Sequence, residues 1–140
     1  MLERLLEAGF DKDISIKLIN STLIANLEED MYATLDVAIL DLYKGNLEFI
    51  KNGAFTLEES SENGACPTFI KRGKEIQILK SLELPTGIVE NMDLVVYDYD
   101  LQPDDLIVMC TDGVIESNTE YISKELWIKY LLEDMQTTDA

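Results

Sequence analysis

Asp112 is the residue best placed for chemistry, because it follows a run of apolar residues within the segment 106–114 (LIVMCTDGV). Such a run predicts a strand buried on both faces. A carboxylate there must be paired, hydrogen-bonded or on a metal, and its oxygens suit Mg²⁺ or Mn²⁺. Gly113 would let the backbone turn sharply beside it. The alternative is an ordinary turn, in which Asp112 accepts hydrogen bonds from the next backbone N–H groups.

Composition limits the chemistry that the chain can perform. There is no histidine, which excludes histidine nucleophiles, proton shuttles and metal ligands. The 28 acidic residues exceed the 11 basic ones, and the net charge of −17 excludes binding to nucleic acid and disfavours anionic membranes. Catalysis would therefore use carboxylates, a metal or lysine. The two cysteines, Cys66 and Cys110, lie in apolar contexts that predict buried, reduced thiols.

The periodicity of apolar residues predicts the elements that would position these groups. A helix pair is expected within 2–26, about six mostly antiparallel strands within 33–112, and a helix over 123–135. In the second helix the predicted apolar face includes Ile14 and Leu18. Strands separated from helices along the chain indicate an α+β fold rather than alternating α/β. At 140 residues the chain is one domain or part of one, and it has no run of 18 apolar residues.

One segment departs from this pattern. The triplet Asn-Gly-Ala at 52–54 recurs at 63–65, and the residues between are acidic and rich in serine. We expect the residues from 54 to 64 to form an inserted, exposed loop, because such a segment cannot join a core.

Six features occur in a fixed order, and together they resemble the PP2C (PPM) superfamily of metal-dependent serine/threonine phosphatases. They are the segments 34–42 (TLDVAILDL), 47–52 (LEFIKN), 63–71 (NGACPTFIK), 84–88 (LPTGI), 101–105 (LQPDD) and 106–114. Within the superfamily the chain is most similar to the phosphatase domain of the stage II sporulation protein E family. The resemblance implies an antiparallel β-sandwich flanked by helices.

The resemblance also implies a site. In the superfamily, acidic side chains hold a pair of Mn²⁺ or Mg²⁺ ions, and a metal-bound water attacks the phosphoserine or phosphothreonine. Asp112 matches a metal ligand of the family and Gly113 the glycine beside it. The positions that match elements near the site are Gly64, Pro67, Thr68, Pro85 and Gly87, and simple turn geometry explains these equally well. Asp36 and Asp41 lie five residues apart in a predicted strand, on opposite faces, so they cannot share one metal.

The chain departs from the family pattern at three points. Asp104 stands where a glycine is usual, which would alter only a turn. The resemblance also implies an Asp-Gly motif before the first helix and a metal-binding aspartate after the last one, and we expect this chain to lack both motifs. We therefore expect a central fragment of the domain, incomplete at both ends, with weak or no metal binding and no activity alone.

The resemblance suggests a biological context as well. The substrate would be a phosphorylated anti-sigma-factor antagonist, and the enzyme would be cytoplasmic, with a parent protein that can be membrane-tethered. An exposed strand edge or the helix pair would support a homodimer. The alternative is a non-catalytic regulatory or partner-binding fragment of the same fold.

Overall fold

A computed structural model describes residues 1–25, 32–52, 66–80, 84–118, 120 and 125–135. Within these ranges two three-stranded sheets are stacked between helices. The helices are α1 (Leu2–Glu7), α2 (Lys12–Ala25), α3 (Asp112–Ile115) and α4 (Leu126–Asp134). The strands are β1 (Leu35–Asp41), β2 (Asn46–Asn52), β3 (Thr68–Arg72), β4 (Glu75–Leu79), β5 (Val96–Asp100) and β6 (Leu106–Met109).

Both sheets are antiparallel, and each has its most buried strand in the middle. The first sheet has the order β1-β2-β5 and the second the order β4-β3-β6. The central strands, β2 and β3, are buried along most of their length, because each is covered on both faces. The expected α+β fold with mostly antiparallel strands is confirmed.

The turn between β1 and β2 is built by a side chain that caps the backbone. Asp41 accepts hydrogen bonds on Oδ1 from the backbone N–H groups of Tyr43 and Lys44, both at 3.0 Å. The bond from Lys44, and then that from Tyr43, hold the pKa of Asp41 below its ordinary value. Gly45 closes the turn with a positive φ of 68°. Since Asp41 pairs with Asn46, the whole register of the hairpin follows from this four-residue loop.

The core between the sheets follows from the alternation of side chains along each strand. Leu47 and Phe49 point inward from β2, and Ile70 and Ile107 meet them from β3 and β6. Phe49 has no exposed surface, and truncating such a residue to alanine costs about 3–5 kcal/mol. This shared core makes the two sheets a β-sandwich.

Helices cover the outer faces of the sandwich. Ile16 of α2 packs with Ile50 and Met92 on the first sheet. Ile128 and Leu132 of α4 pack with Phe69 on the second sheet. The layers are therefore helix, sheet, sheet and helix.

Lys71 joins α4 to the second sheet through a buried ammonium. Its Nζ donates to the backbone carbonyls of Leu132 and Met135, at the C-terminal end of α4. A cation at this position satisfies carbonyls that lack partners within the helix and is favoured by the helix dipole.

In two elements, α2 and β6, the expected burial is wrong. On α2, Ile14 and Leu18 are exposed, and the buried residues are Ser15, Ile16 and Asn20. A polar residue faces inward because the Asn20 amide finds partners there, as described below. The second error concerns β6, which is an edge strand of the described sheet, with Met109 exposed, rather than a strand buried on both faces. An apolar run does not distinguish an edge strand from a central one.

Asp104, where the resemblance implies a glycine, has a positive φ of 69° in the turn before β6. Aspartate tolerates this left-handed conformation better than most residues do. No helix in the described part of the chain is long and apolar enough to cross a membrane. The expected insertion at 54–64 lies outside the described residues.

Candidate functional site

The topology brings several chain segments to one end of the sandwich. β1 and β3 begin at this end, and β2 and β6 finish there, because Asp36 pairs with Lys51 and Thr68 pairs with Met109. The segment leading to Asp112 leaves β6 at the same end. We call this region the site end of the sandwich.

A buried lysine links the two sheets at the site end. The Lys51 side chain has no exposed surface, and its Nζ lies 2.5 Å from Oδ2 of Asp36 and 2.9 Å from Oγ1 of Thr68. Asp36 is the cross-strand neighbour of Lys51, whereas Thr68 belongs to the facing sheet. The ammonium therefore donates to both sheets at once and fixes the separation of β2 and β3 at this point.

Asp112 is placed where the sequence predicted, directly after β6, but in a different environment. It is the first residue of the short helix α3, and both Asp112 and Gly113 are exposed. Asp112 is therefore not the buried carboxylate that would require a metal or another partner. Gly113 lies within α3, outside the glycines of positive φ, and a Cβ there would meet nothing closer than Thr111 Oγ1 at 4.0 Å. The sharp turn expected at Gly113 is also wrong.

Two free cysteines lie beside these groups. Cys66 comes just before β3 and Cys110 just after β6, and both are half-buried rather than buried. Burial, followed by the neighbouring Cys110, raises the pKa of the Cys66 thiol to about 12. Burial also raises the pKa of Cys110, and the charge of Lys51 opposes that shift. The charges of Asp36 and Asp112 raise both pKa values, so both carboxylates act on the same two thiols.

The remaining predicted positions divide into two groups. Pro67 and Thr68 are buried at the start of β3, and Thr68 contacts Lys51. Pro85 and Gly87 lie in a turn that meets the entry to β1, where Thr86 forms a β-bridge with Ala33. Gly64 lies outside the described residues.

The turn that contains Pro85 and Gly87 is held by helix α2. Asn20 accepts a hydrogen bond from the Gly87 N–H at 2.7 Å, and its Nδ2 donates to the Val89 carbonyl at 2.8 Å. Gly87 has φ 101°, which favours glycine. The turn thus depends on backbone geometry and on Asn20, so its role in the described structure is to join α2 to the loop.

Lys51 and Asn20 are the residues at this end that sequence reasoning missed. A hairpin turn at 42–45 sets Asp36 opposite Lys51 by register alone, so this ion pair could have been predicted from the sequence. The contacts of Asn20 with Gly87 and Val89 join distant parts of the chain and left no comparable signal.

The donor groups at the site end do not form a complete site for Mn²⁺ or Mg²⁺ among the residues that the structure describes. No group of three histidine, cysteine, aspartate or glutamate side chains is close enough there to hold an ion. Asp36 is already paired with Lys51, and Asp112 supplies at most two of the roughly six oxygens that such an ion takes. The described residues therefore do not fit the metal site that the resemblance implies.

Comparison with known proteins identifies the family. The model of the stage II sporulation protein E (SpoIIE) family matches residues 1–139. The chain belongs to the SpoIIE family. It is 34% identical to stage II sporulation protein E of Bacillus subtilis (strain 168), over 99% of this chain and 16% of that protein.

Solved structures of the family agree with the fold. A structure of the PP2C phosphatase domain and a fragment of the regulatory domain of SpoIIE from Bacillus subtilis matches with a TM-score of 0.80 and 34% identity. The match covers 99% of this chain and 38% of that one. A manganese-presoaked structure of the same phosphatase domain matches with a TM-score of 0.59 and 31% identity, over 96% of this chain and 55% of that one. The PP2C-like sandwich is thereby confirmed, and the chain spans about a sixth of the curated Bacillus subtilis relative.

Proposed function

We propose that this chain forms part of a protein serine/threonine phosphatase whose reaction centre includes the site end of the sandwich. The observation that supports this most directly is the buried Lys51, which joins both sheets beside the segment that carries Asp112. A fixed separation of the sheets is what a phosphoryl-transfer site needs, because such catalysis depends on positioning and charge.

In this proposal each residue has a defined role. Asp112, exposed just after β6, would be the carboxylate that holds a divalent cation, with Gly113 beside it. Lys51 does not contact the substrate, since it is fully buried; it positions Asp36 and Thr68. Its positive charge also offsets part of the carboxylate field, which favours the approach of a phosphate dianion.

We infer that the 140-residue chain alone binds Mn²⁺ weakly and does not turn over a phosphoprotein. The support is the donor set, since the described residues contain no group of three side chains able to hold an ion. Calorimetric titration with Mn²⁺ should show weak binding that Asp112→Asn removes and Asp98→Asn retains, because Asp98 is an exposed carboxylate on β5. Tight binding, or Mn²⁺-dependent release of phosphate by the isolated chain, would contradict this inference.

A hybrid protein tests the phosphatase proposal itself. The matching segment of Bacillus subtilis SpoIIE would be replaced by this chain, and phosphate release from a phosphoserine protein would be measured with Mn²⁺. We expect the hybrid to be active, Asp98→Asn to retain activity and Asp112→Asn to abolish it. A folded hybrid that is inactive, or one in which Asp112→Asn retains full activity, refutes the assigned roles.

The family supports a substrate class as a further proposal. We propose a phosphoserine on an anti-sigma-factor antagonist, with control of a sporulation sigma factor as the outcome. The same hybrid should release phosphate faster from the phosphorylated antagonist than from an unrelated phosphoserine peptide of equal length. Equal rates on the two substrates would leave the phosphatase proposal intact and remove this one.

A further inference from the structure

The two cysteines are placed by adjacent strands at a point where the sheet ends. β3 and β6 are paired as far as Thr68 and Met109, and Cys66 and Cys110 lie just beyond that last pair. Their sulfur atoms are 3.9 Å apart, and the Cys66 thiol donates to the Cys110 carbonyl at 2.6 Å. Each thiol is therefore held against the other by the sheet.

The surroundings favour a reaction within one molecule. Both cysteines are partly exposed, so a small reagent can reach them. The two sulfur atoms of one chain are already neighbours, which favours a bond within the chain over a bond between two copies. A disulfide bond requires the sulfur atoms to close from this 3.9 Å separation to about 2.05 Å.

We propose that Cys66 and Cys110 form a reversible intramolecular disulfide that ties the start of β3 to the segment carrying Asp112, with a low-molecular-weight disulfide such as oxidised glutathione as the oxidant. One cysteine sulfur attacks a glutathione sulfur, and the first glutathione leaves as a thiolate. The second cysteine then attacks the mixed disulfide and releases the second glutathione. The two protons of the cysteine thiols pass to the two glutathione thiolates, so one disulfide is formed and one is reduced.

The geometry sets the relative rates of the two steps. Both thiols are only partly exposed, so the first attack on an external disulfide is slow. In the second step the resolving thiol is already the neighbour of the reacting sulfur, which makes that step intramolecular. The mixed disulfide should therefore not accumulate. Disulfide formation does not depend on the proposed phosphatase reaction.

Long incubation of the chain in glutathione buffers of defined ratio tests the proposal by intact mass and peptide mapping. We expect a mass lower by two hydrogens, a single cross-linked peptide pair joining Cys66 to Cys110, and full reversal by dithiothreitol. Chain unfolded in urea serves as the control that both thiols react. A persistent glutathione adduct, a covalent dimer, or thiols that stay reduced in buffers where the unfolded control is oxidised would each overturn the proposal.

Unfolding provides a second readout that uses matched variants. The oxidised chain should unfold at a higher urea concentration than the reduced chain, because the cross-link restricts the unfolded state. Cys66→Ser and Cys110→Ser should each stop at a glutathione adduct and show no such shift. A shift of equal size in Cys66→Ser would assign the effect to another cause and refute the disulfide.

Discussion

Replacing Lys51 by methionine should destabilise the sandwich far more than replacing an exposed lysine that also has an ion pair. Lys51 is fully buried and its Asp36 partner is 26% exposed, whereas Lys44 and its partner Asp41 are 80% and 38% exposed. The methionine fills most of the volume of the lysine, so the change removes the charge and the two hydrogen bonds with little loss of packing.

The loss in free energy of unfolding depends on which charged group each substitution leaves without its partner. Breaking a buried ion pair costs about 3–5 kcal/mol. Since water reaches Asp36, Lys51→Met should cost about 3 kcal/mol, near the lower end of that range. Asp36→Ala leaves the ammonium in a site without solvent and should cost about 4–5 kcal/mol. The double variant should cost less than the sum of the two by about 1 kcal/mol or more, because the residues are in contact.

Urea unfolding followed by Trp127 fluorescence measures these differences. Lys44→Met is the matched control, and an exposed pair of this kind contributes about 0–1 kcal/mol. Losses for Lys51→Met and Lys44→Met that agree within about 0.5 kcal/mol, the usual limit for surface changes, would refute the role given to Lys51 in joining the sheets. Additive losses in the double variant would show that the ion pair with Asp36 is not the source of the effect.

Three further predictions concern other parts of the fold. Lys71→Met should lower the free energy of unfolding by about 1–3 kcal/mol, because two carbonyls at the end of α4 lose their donor. Lys129→Met is the control, because it removes only an exposed ion pair with Glu133. In the same urea assay it should change the free energy of unfolding by about 0.5 kcal/mol or less. The Arg72 guanidinium holds the pKa of Asp105 below its ordinary value, so this pair stabilises the fold above about pH 4 and the contribution is lost as pH falls through the lowered pKa. Between neutral and acidic pH the free energy of unfolding should therefore fall less steeply in Arg72→Met than in the unchanged chain. An equal slope of this free energy against pH in the two proteins would contradict the prediction. Light scattering should detect a dimer formed through an open strand edge or the helix pair, and a purely monomeric species at high concentration would exclude it.

Local patterns were enough to predict most of the elements. The α+β class, the strand order along the chain and the separate N- and C-terminal helices follow from apolar periodicity and from turn residues such as Gly45 and Gly73. β4 was predicted with the bounds that the structure has, Glu75–Leu79. These features depend on neighbours within a few residues, which the sequence displays directly.

The site was harder to predict because its contacts join segments far apart in the chain. The bond from Lys51 to Thr68 crosses between sheets, and Asn20 reaches Gly87 and Val89 from a helix. In both cases a polar side chain is buried because a distant backbone or hydroxyl group satisfies it. Hydrophobic patterning predicts that such polar residues are exposed, so it predicts the wrong buried face for α2.

Apolar patterning also could not show that the strand before Asp112 lies at the edge of its sheet, which is why the predicted burial of Asp112 is wrong. A carboxylate at the end of β6 would be buried and need a partner only if β6 were a central strand. Among the strands that the structure describes, β6 instead lies at an edge, beside β3, and Asp112 is solvated. A solvated carboxylate carries no desolvation penalty and is free to receive a cation without first losing another partner. Asp36, the other carboxylate at this end, would have to leave Lys51 before it could do the same. The two acids are therefore not equivalent, and of the two only Asp112 is suited to metal contact in this arrangement.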